Sequence, residues 1–237
     1  LIYEALGFTP PAFGHVAMVL APDHTKLSKR HGVVSVDEFR AKGYLPETLL
    51  NYLALLSWSP GANQEVVPLA EMAKRFSLSD VGHSASVFDE EKLAWVNRHY
   101  LKEADPERLA RLSTAYLERA GYVTSRLKPE GFAYLMSLVP LFNTSVDRLE
   151  QVPQRLRQLF DFSAAAALED AAIRAEVGDH ATRQVIDALA EELQSASRLV
   201  DKQRFRGIAD RVKQKTGQKG RALFHPIRIA LTGASDG

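Results

Sequence analysis

The 237-residue sequence contains no cysteine. Disulfide bonds and thiolate metal sites are therefore excluded, which suits a reducing cytosol, and we expect a cytoplasmic protein. No apolar run reaches the roughly 20 residues that a membrane-spanning helix needs. The first residues carry no basic leader and no cleavage pattern, so no signal peptide is predicted. They also lack an initiator Met, and together with the end at Asp236-Gly237 this indicates a fragment open at both ends.

The sequence also has almost no net charge, since 30 Lys and Arg oppose 29 Asp and Glu. Overall charge therefore says nothing about a nucleic-acid partner, but the distribution of charge does. Between Lys202 and Arg228, nine basic residues are opposed only by Asp210. We call this segment the basic stripe. A local stripe of this kind is typical of a face that meets phosphates, although for a lone stripe a solvated helix face is slightly favoured.

Helical signals dominate the sequence. Pro46 can begin a helix, because its missing N–H is not needed in the first turn, and Leu49, Leu53 and Leu56 follow at helical spacing. Asp89 and Asp105 are natural N-caps for two more helices. Their predicted apolar faces carry Leu93, Val96 and Tyr100 in the first, and Leu109, Leu112 and Tyr116 in the second. Further helices are predicted at 131–141, 153–160, 181–197 and 202–216.

Strand signals are scarce in comparison. The apolar run at 15–20 is the best strand candidate, and 227–231 is too short to assign. The predicted fold class is therefore mainly α, with the remnant of an α/β unit at its start.

Three cations lie within the five residues Lys26-Leu27-Ser28-Lys29-Arg30, which we call the KLSKR loop. A mobile loop of this kind can bring lysines onto a triphosphate and neutralise the charge that builds on the leaving pyrophosphate. Lysine suits this role as a compact charge on a flexible stem. For five residues alone, an ordinary basic surface turn is the better interpretation, because such patterns recur by chance.

The wider segment favours the first interpretation. The stretch KLSKRHGVVSVDEFRAKGYLPETLLNYLALLSWSPG, residues 26–61, resembles the KMSKS-type loop and following segment of bacterial-type glutamyl-tRNA synthetases, which are class I aminoacyl-tRNA synthetases. Residues 86–101 and 219–233 are similar to two later blocks of that family. The resemblance covers essentially the whole chain; it is densest at 26–61 and weakest at 140–181.

The resemblance implies a C-terminal piece of an ATP-dependent glutamate–tRNA ligase, which forms glutamyl-adenylate and then transfers glutamate to tRNA(Glu). Lys29 and Lys26 would act in catalysis, and Lys26, Ser28, Lys29 and Arg30 would hold ATP, which brings Mg²⁺ as part of the substrate. His31 could contact a ligand, but packing within the loop is the favoured role. We expect no metal site within this chain, no membrane and a monomer. The nucleic-acid-binding candidates come from the basic stripe: Arg204, Arg206, Lys213, Lys215, Lys219, Arg221 and Arg228.

The family layout implies four segments. Residues 1–34 would end a Rossmann-type α/β catalytic domain and carry the KLSKR loop, and 35–104 would form a helical stem-contact domain. Residues 105–162 and 163–237 would be two subdomains of an all-helical anticodon-binding region, the second one truncated.

The sequence departs from the family pattern in three places. A His-x-Gly-His-type ATP signature is absent, so the chain alone is expected to be inactive. Thr144-Ser145 stands where many relatives carry a Glu-Arg pair, which puts discrimination between tRNA(Glu) and tRNA(Gln) in doubt. Relatives also continue beyond Leu231-Thr232-Gly233.

Other functions remain open at this point. The alternatives are a non-catalytic tRNA-binding module and a non-discriminating enzyme that also charges tRNA(Gln). Two further families are ranked low. Glutaminyl-tRNA synthetases usually place β-barrels after the catalytic core, and the short paralogue that modifies a queuosine base lacks an anticodon region.

Overall fold

The computed structural model describes residues 1–32, 35–61, 64–196 and 202–235. Within these ranges the fold is mainly helical, as predicted. The α-helices are α1 (Ile2–Ala5), α2 (Val36–Lys42), α3 (Pro46–Leu55), α4 (Leu69–Arg75), α5 (Glu90–Glu103), α6 (Pro106–Arg119), α7 (Pro129–Leu138), α8 (Val152–Phe160), α9 (Ala164–Ala167), α10 (Ala171–Gly178), α11 (His180–Ser195), α12 (Lys202–Thr216) and α13 (Arg221–Thr232). Short 3₁₀ turns lie at Lys29–His31, Leu78–Asp80, Val139–Leu141 and Leu149–Gln151.

The chain forms two compact units, Leu1–Leu156 and Arg157–Gly237, and the boundary between them falls within α8. No helix in the described ranges is both long enough and apolar enough to cross a membrane.

Local capping explains several helix starts. The carboxylate of Asp89 accepts a hydrogen bond from the Lys92 amide at 2.9 Å, and that of Asp105 accepts one from the Arg108 amide at 2.8 Å. These contacts satisfy backbone donors that have no partner within the helix. Both predicted N-caps are confirmed. Helix α11 ends at Ser195, and residue 197, to which the sequence extended it, lies outside the described residues.

The strand prediction was too long. Strand β1 contains only Val19–Leu20 and pairs in parallel with β2, Ser86–Val87. Residues 15–18 form no strand in the structure, and the side chain of Val16 is exposed. An extended segment needs a hydrogen-bonded neighbour, and β2 is only two residues long. No strand was predicted at β2.

In the first unit, polar side chains are buried beside the apolar core. Helix α3 buries Thr48, Asn51 and Tyr52, whereas Leu53 is about half exposed. The Asn51 carboxamide oxygen accepts hydrogen bonds from the Val67 amide at 2.7 Å and the Tyr100 hydroxyl at 2.9 Å. Of the predicted leucines, Leu49 and Leu56 pack partly buried against the core, and Leu53 is the exposed member. Helical spacing did not reveal that the same helix also receives polar partners from elsewhere in the chain.

Asn97 makes a second buried polar junction in this unit. Its side-chain oxygen accepts hydrogen bonds from the Leu45 amide at 2.9 Å and the Thr48 hydroxyl at 2.8 Å. Its side-chain nitrogen donates to the carbonyl of Asp147 at 2.5 Å. One α5 side chain thus joins the start of α3 to the segment that precedes α8.

The second unit has an apolar core instead. Helices α11, α12 and α13 bury Val185, Leu189, Ile208, Val212, Leu223 and Ile227 against one another. The segment 227–231, which the sequence left unassigned, belongs to α13. Pro226 obscured that helix, because proline is disfavoured in a helix interior, yet here it is buried within α13.

Candidate functional site: the KLSKR loop and the basic helices

A closed turn leads into the KLSKR loop. The Ala21 amide donates to the Thr25 carbonyl at 2.8 Å, and the Leu27 amide donates to the Val19 carbonyl at 3.1 Å. Leu20 and Lys26 form an antiparallel bridge across this turn. Because Leu20 also belongs to β1, the first residue of the loop is attached to the two-stranded sheet.

The second half of the loop is a 3₁₀ turn, Lys29–His31, with Ser28 at its N-cap. The imidazole of His31 folds back over this turn. Its Nδ1 lies 3.2 Å from the Ser28 backbone nitrogen and 3.1 Å from the Ser28 hydroxyl oxygen. Only 14% of the His31 side chain is exposed, so the ring is part of the loop's own packing.

The opposite edge of the His31 ring faces the preceding turn. Nε2 lies 3.3 Å from the Thr25 hydroxyl oxygen and 3.5 Å from a carboxylate oxygen of Asp23. The Thr25 hydroxyl donates to Asp23 at 2.7 Å. Hydrogen bonds from the Thr25 hydroxyl and then from the Thr25 amide lower the pKa of Asp23, and the nearby charge of Arg30 acts in the same direction. Asp23 therefore stays ionised beside the ring.

The side chains of the loop lysines take no part in this network. Lys26 and Lys29 are exposed, and across residues 1–32, 35–61, 64–196 and 202–235 neither amino group has an ion-pair partner. Arg30 is also exposed, but its guanidinium lies 3.3 Å from His31 Nε2 and 3.5 Å from the Thr25 hydroxyl. The loop thus presents two available ammonium groups on a backbone that neighbouring residues hold in place.

The seven RNA-binding candidates of the basic stripe are exposed on α12, on α13 and in the short connection between them: Arg204, Arg206, Lys213, Lys215, Lys219, Arg221 and Arg228. One of them is engaged within the protein, because the Lys215 ammonium lies 3.1 Å from Glu191 and 2.9 Å from Glu192. Arg211, elsewhere in the stripe, pairs with Glu192 as well. Two acidic residues of α11 therefore offset part of the stripe's positive charge.

Helix α13 carries a face that mixes cations with an aromatic ring. Arg221, Phe224, His225 and Arg228 recur at spacings of three and four residues, so they share one side of the helix. Together with Gly220 and Ser235 they line an open cleft of about 490 Å³. Phe224 is 51% exposed, and His225 Nε2 lies 2.6 Å from the carboxylate of Glu176 on α10.

Arg221 and Arg228 were predicted from the sequence, whereas Phe224 and His225 were not. A basic-aromatic-basic spacing on one helical face was the available signal, and it was hidden because no helix had been assigned beyond residue 216. Among the residues that the structure describes, no group of three or more His, Cys, Asp or Glu side chains is placed to hold a metal ion.

Comparison with known proteins identifies the family that the chain resembles. Residues 1–95 match the family model described as the catalytic domain of class I tRNA synthetases (E and Q), and residues 68–237 match the model of an anticodon binding domain. A solved glutamate tRNA ligase from Elizabethkingia meningosepticum matches the whole chain with a TM-score of 0.75 at 23% identity, and 48% of that structure is covered, which shows the fold.

The chain is also similar to curated glutamate–tRNA ligases. It is 36% identical to that of Desulforamulus reducens and 38% identical to that of Heliobacterium modesticaldum, each over 237 residues. These alignments cover 48% and 47% of the relatives, so the chain spans about half the length of the curated relatives it matches. From residues 1–95 and 68–237 together, we conclude that the chain belongs to the class I tRNA synthetases of the E and Q group and contains their anticodon binding domain.

Proposed function

We propose that the full-length protein carrying this chain is a glutamate–tRNA ligase, and that this chain supplies its ATP-phosphate loop and its tRNA-binding region. The observation that carries the proposal is a pair of exposed lysines that have no ion-pair partner among the residues the structure describes. They lie on a loop that its neighbours hold in place, within the segment that matches a class I catalytic domain. The match of residues 1–95 to a catalytic domain, ahead of an anticodon binding domain in the same chain, makes a non-catalytic tRNA-binding module the less favoured alternative.

The chemistry suits the residues of the loop. Glutamate activation joins the amino-acid carboxylate to the α-phosphate of ATP and releases pyrophosphate, on which negative charge builds. The ammonium groups of Lys29 and Lys26 can meet that charge as it develops, which lowers the barrier more than it strengthens ground-state binding. Ser28 and Arg30 would complete the phosphate contacts, and Mg²⁺ would arrive with ATP as part of the substrate.

The α13 face suits single-stranded RNA. Arg221 and Arg228 can hold phosphates while the exposed ring of Phe224 stacks on an unpaired base, which is how proteins commonly read RNA loops. We propose that the stem of tRNA(Glu) contacts residues 35–104. Its anticodon arm would contact residues 105–162 and 163–237. The enzyme would act as a monomer in the cytoplasm, with glutamate held by the part of the protein outside this chain.

A second candidate is an enzyme that also glutamylates tRNA(Gln), and one observation favours it. Thr144 and Ser145 are exposed at the turn that follows the Val139–Leu141 3₁₀ turn, and the Ser145 hydroxyl donates to the Phe142 carbonyl at 3.2 Å. Positions 144 and 145 therefore carry two small hydroxyl side chains and no charge, and the long charged side chain beside this turn is Arg155, whose Nε donates to the Leu141 carbonyl at 3.3 Å.

Aminoacylation of purified tRNA(Glu) and tRNA(Gln) by the full-length protein tests both candidates. We expect ATP-dependent charging of tRNA(Glu), and transfer to tRNA(Gln) as well if Thr144 and Ser145 permit it. A double variant, Thr144→Glu with Ser145→Arg, should then reduce charging of tRNA(Gln) more than that of tRNA(Glu). Binding of tRNA with no charging and no ATP–pyrophosphate exchange would contradict the ligase and support the non-catalytic module.

A further inference from the structure

We propose that His31 is a positioning residue of the KLSKR loop: as the tautomer protonated on Nε2, it joins Ser28 to the turn at Asp23 and Thr25, and so fixes how Lys26 and Lys29 meet the ATP phosphates. This proposal rests on the proposed function, since it names what controls the geometry of the same phosphate site. It assigns His31 an indirect role that acts through the loop backbone.

The hydrogen-bond partners select this tautomer. The Ser28 backbone N–H can only donate, so Nδ1, at 3.2 Å, must accept and carries no proton. A neutral imidazole then has its proton on Nε2. That edge faces two acceptors, the Thr25 hydroxyl oxygen at 3.3 Å and the Asp23 carboxylate at 3.5 Å, and one donor, the Nε–H of Arg30, whose nitrogen lies 3.3 Å from Nε2. Arg30 is exposed, so its N–H can donate to water instead, whereas the Ser28 amide is partly buried and depends on Nδ1. The other neutral tautomer would leave the Ser28 amide facing an N–H.

The Thr25 hydroxyl fits the same arrangement. It donates its proton to Asp23 at 2.7 Å, so its oxygen is left to accept from the ring. The Thr25 amide adds a second hydrogen bond to the same Asp23 oxygen at 3.0 Å. Each donor in this chain of hydrogen bonds has an acceptor: the Ser28 amide donates to the ring, the ring to the Thr25 hydroxyl, and the hydroxyl to the Asp23 carboxylate.

The turn that receives the ring is itself attached to the fold. The Ala21–Thr25 backbone hydrogen bond closes it, and the Leu20–Lys26 bridge joins it to β1, which pairs with β2. His31 therefore transmits the position of the sheet to the 3₁₀ turn that carries Lys29. Without the ring, the far end of the loop would keep the long contact of 3.5 Å between the Arg30 guanidinium and the Thr25 hydroxyl but would lose its hydrogen bond to the Ser28 amide.

This arrangement matters for rate because cations contribute to catalysis only when they are aligned with charge as it develops. Ser28 lies between Lys26 and Lys29 in the chain, so a hydrogen bond that holds Ser28 also fixes the backbone that carries the two lysines. A loop that is free to move would still bind the triphosphate through long-range attraction. It would lose the alignment needed at the transition state, so kcat should fall while the KM for ATP changes little.

The first test uses this chain labelled with ¹⁵N-histidine. Long-range ¹H–¹⁵N correlation spectra report which ring nitrogen carries the proton, and the His31→Asn variant identifies the His31 signals by their loss. We expect the Nε2-protonated tautomer for His31. A ring protonated on Nδ1, or one that exchanges between the two tautomers, overturns the proposal whether or not the protein is a ligase.

The second test measures ATP–pyrophosphate exchange by the full-length protein. His31→Ala should lower kcat on the order of 10- to 100-fold with a nearly unchanged KM for ATP. His31→Asn, whose side-chain oxygen can replace Nδ1 as the acceptor for Ser28, should recover most of the loss. His31→Gln, whose amide reaches toward Thr25 instead, should recover less. Equal melting temperatures for these variants exclude a folding defect as the cause.

Thr25→Val provides an independent variant, because it removes the hydroxyl that receives the ring and keeps the shape of the side chain. It should lower kcat in the same direction as His31→Ala. A rise in the KM for ATP alone, or full activity of His31→Ala, overturns the positioning role. If the wild-type protein shows no exchange at all, the proposed function fails instead, and the tautomer measurement still decides the geometry.

Discussion

The two basic segments of the chain differ in how far the protein itself uses their charge. In the KLSKR loop the nearby carboxylate, Asp23, is turned toward Thr25 and His31, so Lys26 and Lys29 have no ion-pair partner in the described ranges. In the basic stripe, Glu191 and Glu192 of α11 lie against Lys215, and Glu192 also against Arg211. Charge counted along the sequence therefore overstates what the stripe can offer a ligand and describes the loop correctly.

The difference follows from local and distant neighbours. The carboxylate closest to the loop is three residues from Lys26, and the turn at 21–25 determines its direction. The carboxylates that meet the stripe come from another helix, 19 or more residues away along the chain. Exposed ion pairs contribute little to stability, but they do occupy a cation that RNA would otherwise contact.

Removal of the loop lysine should give the largest effect. In the full-length protein, Lys29→Ala should slow ATP–pyrophosphate exchange on the order of a hundredfold or more, because the ammonium group meets charge that develops in the transition state. Lys74→Ala, at an exposed lysine on α4, is the matched control and should leave the rate unchanged. An exchange rate in Lys29→Ala equal to that of the wild type would remove this residue from the phosphate site.

Measurements of tRNA binding should show which cations of the basic stripe are available to RNA. The chain should bind tRNA(Glu) with an affinity that falls as salt rises, and Arg221→Ala and Arg228→Ala should each reduce the logarithmic salt slope by about one. Filter binding or fluorescence anisotropy across a salt series gives the slope. Arg183→Ala on α11 is the control, as an exposed arginine outside the stripe. Affinity that does not depend on salt would contradict an RNA face.

Lys215→Ala sharpens the comparison within the stripe. Since Glu191 and Glu192 already hold this ammonium group, its loss should change the salt slope by well under one, less than the loss of Arg228. The same anisotropy series measures it. An effect as large as that of Arg228→Ala would mean that RNA displaces the ion pairs of α11, and the contrast between the two segments would disappear.

The smallest effect is expected from Glu192→Gln, read as a function of pH. Hydrogen bonds from Arg211 and then Lys215 lower the pKa of Glu192 in the folded protein. The stability gained is present above the pKa of an unfolded glutamate, about 4.3, and is lost as pH falls through the lower folded value. Wild type should therefore melt higher than Glu192→Gln near neutral pH, and the two should converge at acid pH.

The same variant offers a second readout in RNA binding. With the carboxylate neutralised, Arg211 and Lys215 become more available, so Glu192→Gln should bind tRNA more tightly at low salt than the wild type. Weaker binding would show that Glu192 organises the RNA face rather than competing for its cations.

Local signals along the sequence predicted much of the fold. Asp89 and Asp105 cap the helices that they were expected to cap, because a cap acts on an amide only three residues away. The KLSKR motif and the flanking blocks led to the family to which the chain belongs. The candidate site residues stay predictions, although the structure exposes Lys26, Lys29 and the members of the stripe.

Only the tertiary structure decided which side chains meet across long stretches of chain. It placed Asn51 and Asn97 at buried hydrogen-bond junctions, limited the first strand to the two residues that find a partner, and brought Glu191 and Glu192 to the basic stripe. Periodicity and composition describe each segment by itself. A hydrogen bond or ion pair between distant segments depends on how helices pack, and that information lies in the fold and not in any one stretch of sequence.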